Sequence, residues 1–280
     1  MTRPQLSWLP LRCLPSMVES AWPTRQAVFR QARQDLGLDL VEVHEATVRC
    51  DDPHDVADLK SMLRWYKLAC SALVCAPDLT NPNVEVREGS IGRTRSALAM
   101  GPTIGCALVR VGAGPQHPGQ NASEALGLAE AGLLSLQEEA RGLGLRMVLE
   151  NQMKDPLWSS SDLCHDPGTY LALHARLSGA GMGASFNCST SLATFSDSSD
   201  LLDALGSVDL VHVSDRLPGL PDQTVLGEGM ADLEGLLQAL AARGYSGVLT
   251  YEDGNPQGNR GTRRSIDHLR ALVARYWPEG

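Results

Sequence analysis

The sequence predicts an α/β protein folded as one closed, eight-stranded parallel barrel, on three observations. Short apolar runs of strand length recur along the chain, each followed by a stretch with apolar residues at helical spacing. Counting the proline-blunted segment Leu6 to Leu14, the alternation gives eight strands and eight helices. No insertion is long enough to form a second domain, so 1–280 reads as a single (β/α)8 barrel domain, a fold that typically takes about 250 residues. Such alternation makes a parallel sheet covered by helices.

The elements follow in order. Pro10 interrupts the first strand, Leu6 to Leu14. Thr24 to Leu36 carries Val28, Ala32 and Leu36 on one helical face, closes on Gly37 and leads into the strand Leu38 to Val43. Pro53 suits a first helical turn, with Val56, Leu59, Leu63 and Tyr66 behind it, before the strand Ala69 to Cys75. The stretch 77–104 is the least regular: the polar cluster Asp78 to Asn83 and an indistinct helix suggest an active-site loop. Ala107 to Val111 is the fourth strand, followed by a helix at 123–142 and the fifth strand, Arg146 to Glu150. Asp166-Pro167 is an N-cap and first-turn proline for a helix at 167–178. The strands Met182 to Phe186, Val208 to Val213 and Gly247 to Tyr251 alternate with helices at 199–205 and 231–243, the latter ended by Gly244. Thr262 to Trp277 is the last helix.

Charge narrows the partners. Lys and Arg number 24 against 33 Asp and Glu, a net charge of −9 that repels a phosphate backbone unless basic residues cluster. The densest basic stretch, Arg260 to Arg275, lies along an amphipathic helix and reads as its solvated face, so nucleic acid is not an expected partner. Nowhere do about 18 apolar residues run together, and prolines 4, 10 and 15 break the N-terminal stretch, so neither a membrane span nor a signal peptide is expected. Seven cysteines form an odd set with no C-x-x-C pair and read as reduced core thiols, which fits a cytoplasmic protein.

Function is written at the strand ends. Glu150-Asn151-Gln152, Asn187, His212 with Asp215, and Glu252-Asp253 follow the fifth to eighth strands, and all are ligand types for a hard or borderline cation. In a parallel barrel these ends share one face, so side chains about 100 residues apart can converge. Each alone has a bland explanation, a solvated carboxylate or a core imidazole. Arg110, His117, Gln152, Lys154, Trp158, Asp215 and Arg216 are candidates to contact substrate hydroxyls or a phosphate. Gly179 to Gly183 precedes a strand rather than following one, so it is not a dinucleotide loop.

The runs Glu150-Asn151, Phe186-Asn-Cys-Ser-Thr190, Val211-His-Val-Ser-Asp215, Leu226-Gly-Glu-Gly-Met-Ala-Asp232 and Leu249-Thr-Tyr-Glu252 resemble the successive signatures of the xylose isomerase-like TIM barrels. That superfamily includes sugar and sugar-phosphate isomerases and epimerases, inosose dehydratases and apurinic endonucleases. The resemblance spans about 40 to 280 and is strongest from Glu150 onward. It implies a divalent metal (Mn, Mg, Co or Zn) on Glu150, Asn187, His212 and Glu252, with Asn187 standing where relatives carry Asp, Thr190 where they often carry His or Asn, and Gln152 where they often carry His. It implies Glu150 and Glu252 as the catalytic acid and base, moving a proton through an enediolate of a carbohydrate or polyol substrate.

Three functions remain open at this stage. The first is a metal-dependent sugar or ketosugar isomerase or epimerase. The second is a lyase or dehydratase on a keto-sugar or cyclitol in the same site. The third is a ligand-binding barrel with a degraded metal site, suggested by Asn187, Thr190 and Gln152. A multi-zinc endonuclease wants more imidazoles than His44, His117 and His212 offer. A homo-oligomer is compatible with the sequence.

Overall fold

In the computed structural model, which describes residues 2–190, 198–217 and 222–278, eight parallel strands run around a nearly closed ring. They are β1 (Gln5–Leu9), β2 (Leu40–His44), β3 (Ala69–Cys75), β4 (Leu108–Val111), β5 (Arg146–Glu150), β6 (Gly183–Asn187), β7 (Leu210–Val213) and β8 (Val248–Glu252). Ladders join β2 through β7 in chain order, then β7 to β8 and β8 to β1. The ring closes where β1 packs beside β2. Around it lie α1 (Leu14–Glu19), α2 (Ala21–Arg30), α3 (Pro53–Tyr66), α4 (Val84–Ile104), α5 (Ala122–Gly142), α6 (Pro167–Ser178), α7 (Ser198–Leu205), α8 (Leu233–Ala242) and α9 (Gly258–Tyr276). The structure is the (β/α)8 barrel that the alternation predicts.

Local chemistry sets the helix starts. Asp52, Asn83, Asn121, Asp166 and Asp232 each accept a backbone N–H of the first turn, and proline follows the cap at 53 and 167. Three boundaries differ from the sequence reading. β1 stops at Leu9, because Pro10 ends the ladder and a 3-10 turn and α1 take up the apolar residues through Met17. α2 continues as a π-turn over Gln31–Asp35 before reaching Gly37. The indistinct stretch after Asn83 is the 21-residue helix α4. Its buried face includes Ser90, Thr94 and Gly101 among the apolar residues, which dilutes the periodicity that would have announced it.

Side-chain alternation along the strands builds the site. Ala72, Val148 and Leu210, with Leu108 and Val248 against them, form an apolar plug. Two residues further along, the same inward face carries Arg110, Glu150, His212 and Thr250, so a polar layer stacks on the plug. The ladders set Glu150 opposite Ser185 and Asn187 opposite His212.

The chain after β5 then crosses the mouth. Asp155 reaches His44 at the end of β2, Oδ2 to Nε2 2.9 Å, and Asp162 accepts from Gly114 N beyond β4. Gly112 makes the crossing feasible, since a Cβ there would lie 2.4 Å from Gln152 Nε2 and 2.6 Å from Asp162 Oδ2. Among the described residues no helix is long and apolar enough to cross a membrane. All seven cysteines are free thiols.

Candidate active site

At the centre of the polar layer His212 is fully buried between carboxylates on both sides of its ring. Nε2 lies 3.1 Å from Glu42 Oε2. Nδ1 lies 3.0 Å from Glu150 Oε2 and 3.7 Å from Glu252 Oε1, yet makes a properly directed hydrogen bond to neither. Burial opposes protonation of this imidazole, but Glu150 and Glu42 overcome it and hold its pKa well above the ordinary histidine value.

The two oxygens of Glu150 are fully engaged. Oε1 accepts from Arg110 NH2 at 2.5 Å and from Asn187 Nδ2 at 3.2 Å, while Oε2 accepts from Ser185 Oγ at 2.8 Å. Burial pushes this carboxyl up, but Arg110 and His212 win and hold it well below the usual carboxylate range. Glu252 is less evenly occupied: Oε2 accepts from Gln223 at 2.7 Å, Asn187 at 3.1 Å and Ser214 at 3.4 Å, whereas Oε1 accepts no hydrogen bond among the described residues and lies 3.7 Å from His212 Nδ1. Its pKa is lowered too, with His212 outweighing burial.

Asn187 presents nitrogen, not oxygen, to this centre. Its Oδ1 accepts from Ser189 N and Oγ, both at 3.2 Å, which fixes the amide so that Nδ2 bridges Glu150 and Glu252. Arg110, an inward residue of β4, is buried in the ion pair with Glu150, and its Nε has no hydrogen-bond partner among the described residues.

The other candidates lie elsewhere. Gln152 turns to Asp162 at 3.0 Å, and burial pushes the Asp162 carboxyl up to about 7 against the pull of Cys164 N–H and Gln152. Asp215 accepts from the backbone N–H groups of Gly227, Gly229 and Ala231, so it organises the loop after β7. Arg216 Nε donates to Ser189 Oγ at 3.2 Å, beside the Ser214 that contacts Glu252. His117 pairs with Asp78 at 2.9 Å, joining two loops at the mouth. Lys154 is exposed on the crossing segment, and Trp158 lines a cavity described below. Asp253 turns outward to Trp8, Arg12 and Thr262.

Glu42 is the functional candidate the sequence reading missed. It accepts from Thr250 Oγ1 at 2.6 Å and contacts His212 Nε2, so it fixes which ring nitrogen faces Glu150 and Glu252. The available signal was a charged residue on the inward-facing phase of Leu40–His44, in the middle of an otherwise apolar strand.

Glu150, His212 and Glu252 offer ligand atoms within 4.8 Å of one another and could hold a metal ion. The donor set supports that fit. Neighbouring ligands at about 2.0–2.2 Å from a tetrahedral ion stand roughly 3.3 Å apart, which the separations of 3.0 and 3.7 Å from His212 Nδ1 bracket. The undirected Nδ1, with a carboxylate behind the opposite nitrogen, has the arrangement of a metal-ligating histidine. Asn187 would have to turn its amide over to contribute an oxygen.

Comparison with known proteins gives the same fold. Residues 29–272 match the family model of the xylose isomerase-like TIM barrels. No curated protein sequence matches the chain. Among solved structures, a D-tagatose 3-epimerase-like protein superposes with a TM-score of 0.78 at 18% identity, over 97% of this chain and 98% of that one. A D-allulose 3-epimerase from Methylomonas sp. gives 0.74 at 16%, over 97% and 99%. A xylose isomerase-like TIM barrel protein from Mycobacterium smegmatis, in complex with magnesium, gives 0.74 at 13%, over 99% and 98%.

Proposed function

We propose, for a chain that belongs to the xylose isomerase-like TIM barrel family, that it is a sugar or ketosugar isomerase or epimerase working by proton transfer between Glu252, Glu150 and a bound carbohydrate. The observation that carries this reading is the pair of buried, ionised glutamates set around His212, one with both oxygens occupied and one with a free oxygen. A divalent ion such as Mn, Mg, Co or Zn, held by Glu150, His212 and Glu252, supplies polarisation of a carbonyl and its neighbouring hydroxyl when bound, which makes the adjacent C–H acidic.

The chain's own groups then divide the work. Glu252 takes the proton at the lone pair of Oε1 that a bound ion would leave free, because Gln223, Asn187 and Ser214 occupy Oε2 and fix the carboxylate plane. Glu150, held strongly ionised by Arg110, orients His212; once the substrate draws Arg110 off Oε1 it can take up a solvent proton, and that proton is the one it delivers to the enediolate while Glu252 keeps the proton it removed. The unpartnered Nε of Arg110 is a donor for a substrate oxygen, and the segment crossing the mouth excludes water. Relatives of similar fold named as epimerases of D-allulose or D-tagatose type support a ketohexose-sized substrate. An NMR panel of ketohexoses, their 3-keto derivatives and cyclitols tests the reading. A product isomeric with its substrate is expected; loss of water or of an aglycone would replace the isomerase with the lyase reading.

Two substitutions report on the metal. Glu42→Gln keeps the shape but removes the carboxylate behind His212, so Mn²⁺ affinity by titration calorimetry should fall about 10- to 100-fold. Unchanged affinity would remove His212 as a ligand. Asn187→Asp replaces the bridging NH2 by an anionic oxygen facing two carboxylates. The metal-free variant should therefore melt below wild type, whereas Mn²⁺ should bind it about tenfold more tightly because the site gains a charge. Equal binding by variant and wild type would place position 187 outside the metal's reach.

A further inference from the structure

A cavity of about 700 Å³ lies beside the centre rather than over it, between the chain following β2, one face of α4 and the segment that crosses the mouth. None of Glu150, His212 and Glu252 lines it; the buried pair His44–Asp155 forms the shared wall. We propose that this cavity is a binding site for a neutral sugar ring, separate from the site of chemistry.

Three features select that ligand. The size lies within the range of small-molecule sites and is ample for a pyranose. The walls combine the half-buried indole of Trp158 with the bare backbone of α4 at Gly89 and Gly92, surfaces suited to the apolar face of a ring. The walls carry charges of both signs: Arg49 and Arg93 stand among Glu45, Asp51 and Asp155, with Arg49 paired to Asp52 and the Glu45 oxygens bound by Ala76 N–H and Thr94 Oγ1. A ligand of either charge therefore meets groups of its own sign, whereas hydroxyls meet Arg93 and Asp51, which have no hydrogen-bond or ion-pair partner among the described residues. The same ring could be the second unit of a disaccharide whose other unit reaches Glu252, or a free monosaccharide.

Gly92 supplies the test, because it lines the cavity and a Cβ added there meets nothing within 4 Å, so Gly92→Leu can start into the cavity without a clash at its root. Saturation-transfer NMR with cellobiose, maltose, D-glucose and benzoate would be run on wild type, Gly92→Leu, Trp158→Ala and Glu252→Gln. At least a tenfold loss of sugar binding in the first two variants is expected, with Glu252→Gln unchanged for D-glucose. Disaccharides weakened also by Glu252→Gln would identify one extended substrate; D-glucose alone would identify a separate ligand. Because D-glucose binding is read in Glu252→Gln, it stands or falls independently of the proposed chemistry. Sugar binding indifferent to both cavity variants, no sugar binding, or a preference for benzoate would overturn the proposal.

Discussion

Glu252→Gln should slow exchange of a substrate α-proton with solvent by about a thousandfold, within the usual range for a removed general base, and leave the fold standing. Glutamine keeps the size of the side chain and an oxygen that can accept from Gln223, Asn187 or Ser214. It cannot accept a proton at the position of Oε1. Among the described residues no cation forms an ion pair with Glu252 except His212, whose Nδ1 is 3.7 Å away, so little else is stranded. Circular dichroism and melting temperature close to wild type, together with lost exchange, would separate fold from chemistry. Exchange that survives would exclude Glu252 as the base.

Glu150→Gln should behave differently, because stability fails along with activity. Its carboxylate is the direct partner of the buried Arg110 guanidinium and stands beside His212. Removing one member of a buried pair leaves the other charge uncompensated, a loss of about 3–5 kcal/mol. At about 2–4 °C per kcal/mol for a chain of this order of size, the melting temperature should drop by roughly 10 °C. The double variant Arg110→Met, Glu150→Leu removes both charges and should recover most of that loss while remaining inactive. A single variant as stable as wild type would mean that Arg110 gains its stability elsewhere. The ion pair across β4 and β5 is what makes Glu150, unlike Glu252, necessary to the fold.

What the sequence disclosed, and what it hid, follows from range. Polar residues ending apolar strands are local features, so Glu150, Asn187, His212 and Glu252 stood out, and the structure brings their side chains into one cluster. The βα alternation was legible because most strands and helices carry their own period and several helices their own cap, α4 with its diluted apolar face being the exception. Arg110 read as a substrate contact and not as the partner of Glu150, because nothing local shows that its side chain points inward, two positions along from the plug residue Leu108. Gln152 and Asp215 read as substrate contacts, but Asp162 and three backbone amides engage them, partners chosen by loop folding. The segment after β5 depends on His44 meeting Asp155, 111 residues apart, and Glu42 on meeting His212, 170 residues apart. No periodicity reports contacts of that span.

The central claim is that this barrel moves a proton on a carbohydrate through Glu252 and Glu150. The most direct measurement is proton NMR of D-allulose, D-tagatose and D-fructose incubated in deuterated water with the wild-type protein and saturating Mn²⁺. One carbon-bound proton next to the carbonyl of at least one of them should disappear at a rate set by protein concentration, and the rate should collapse in Glu252→Gln. Retention of every such proton with metal bound at the Glu150–His212–Glu252 centre would contradict the claim.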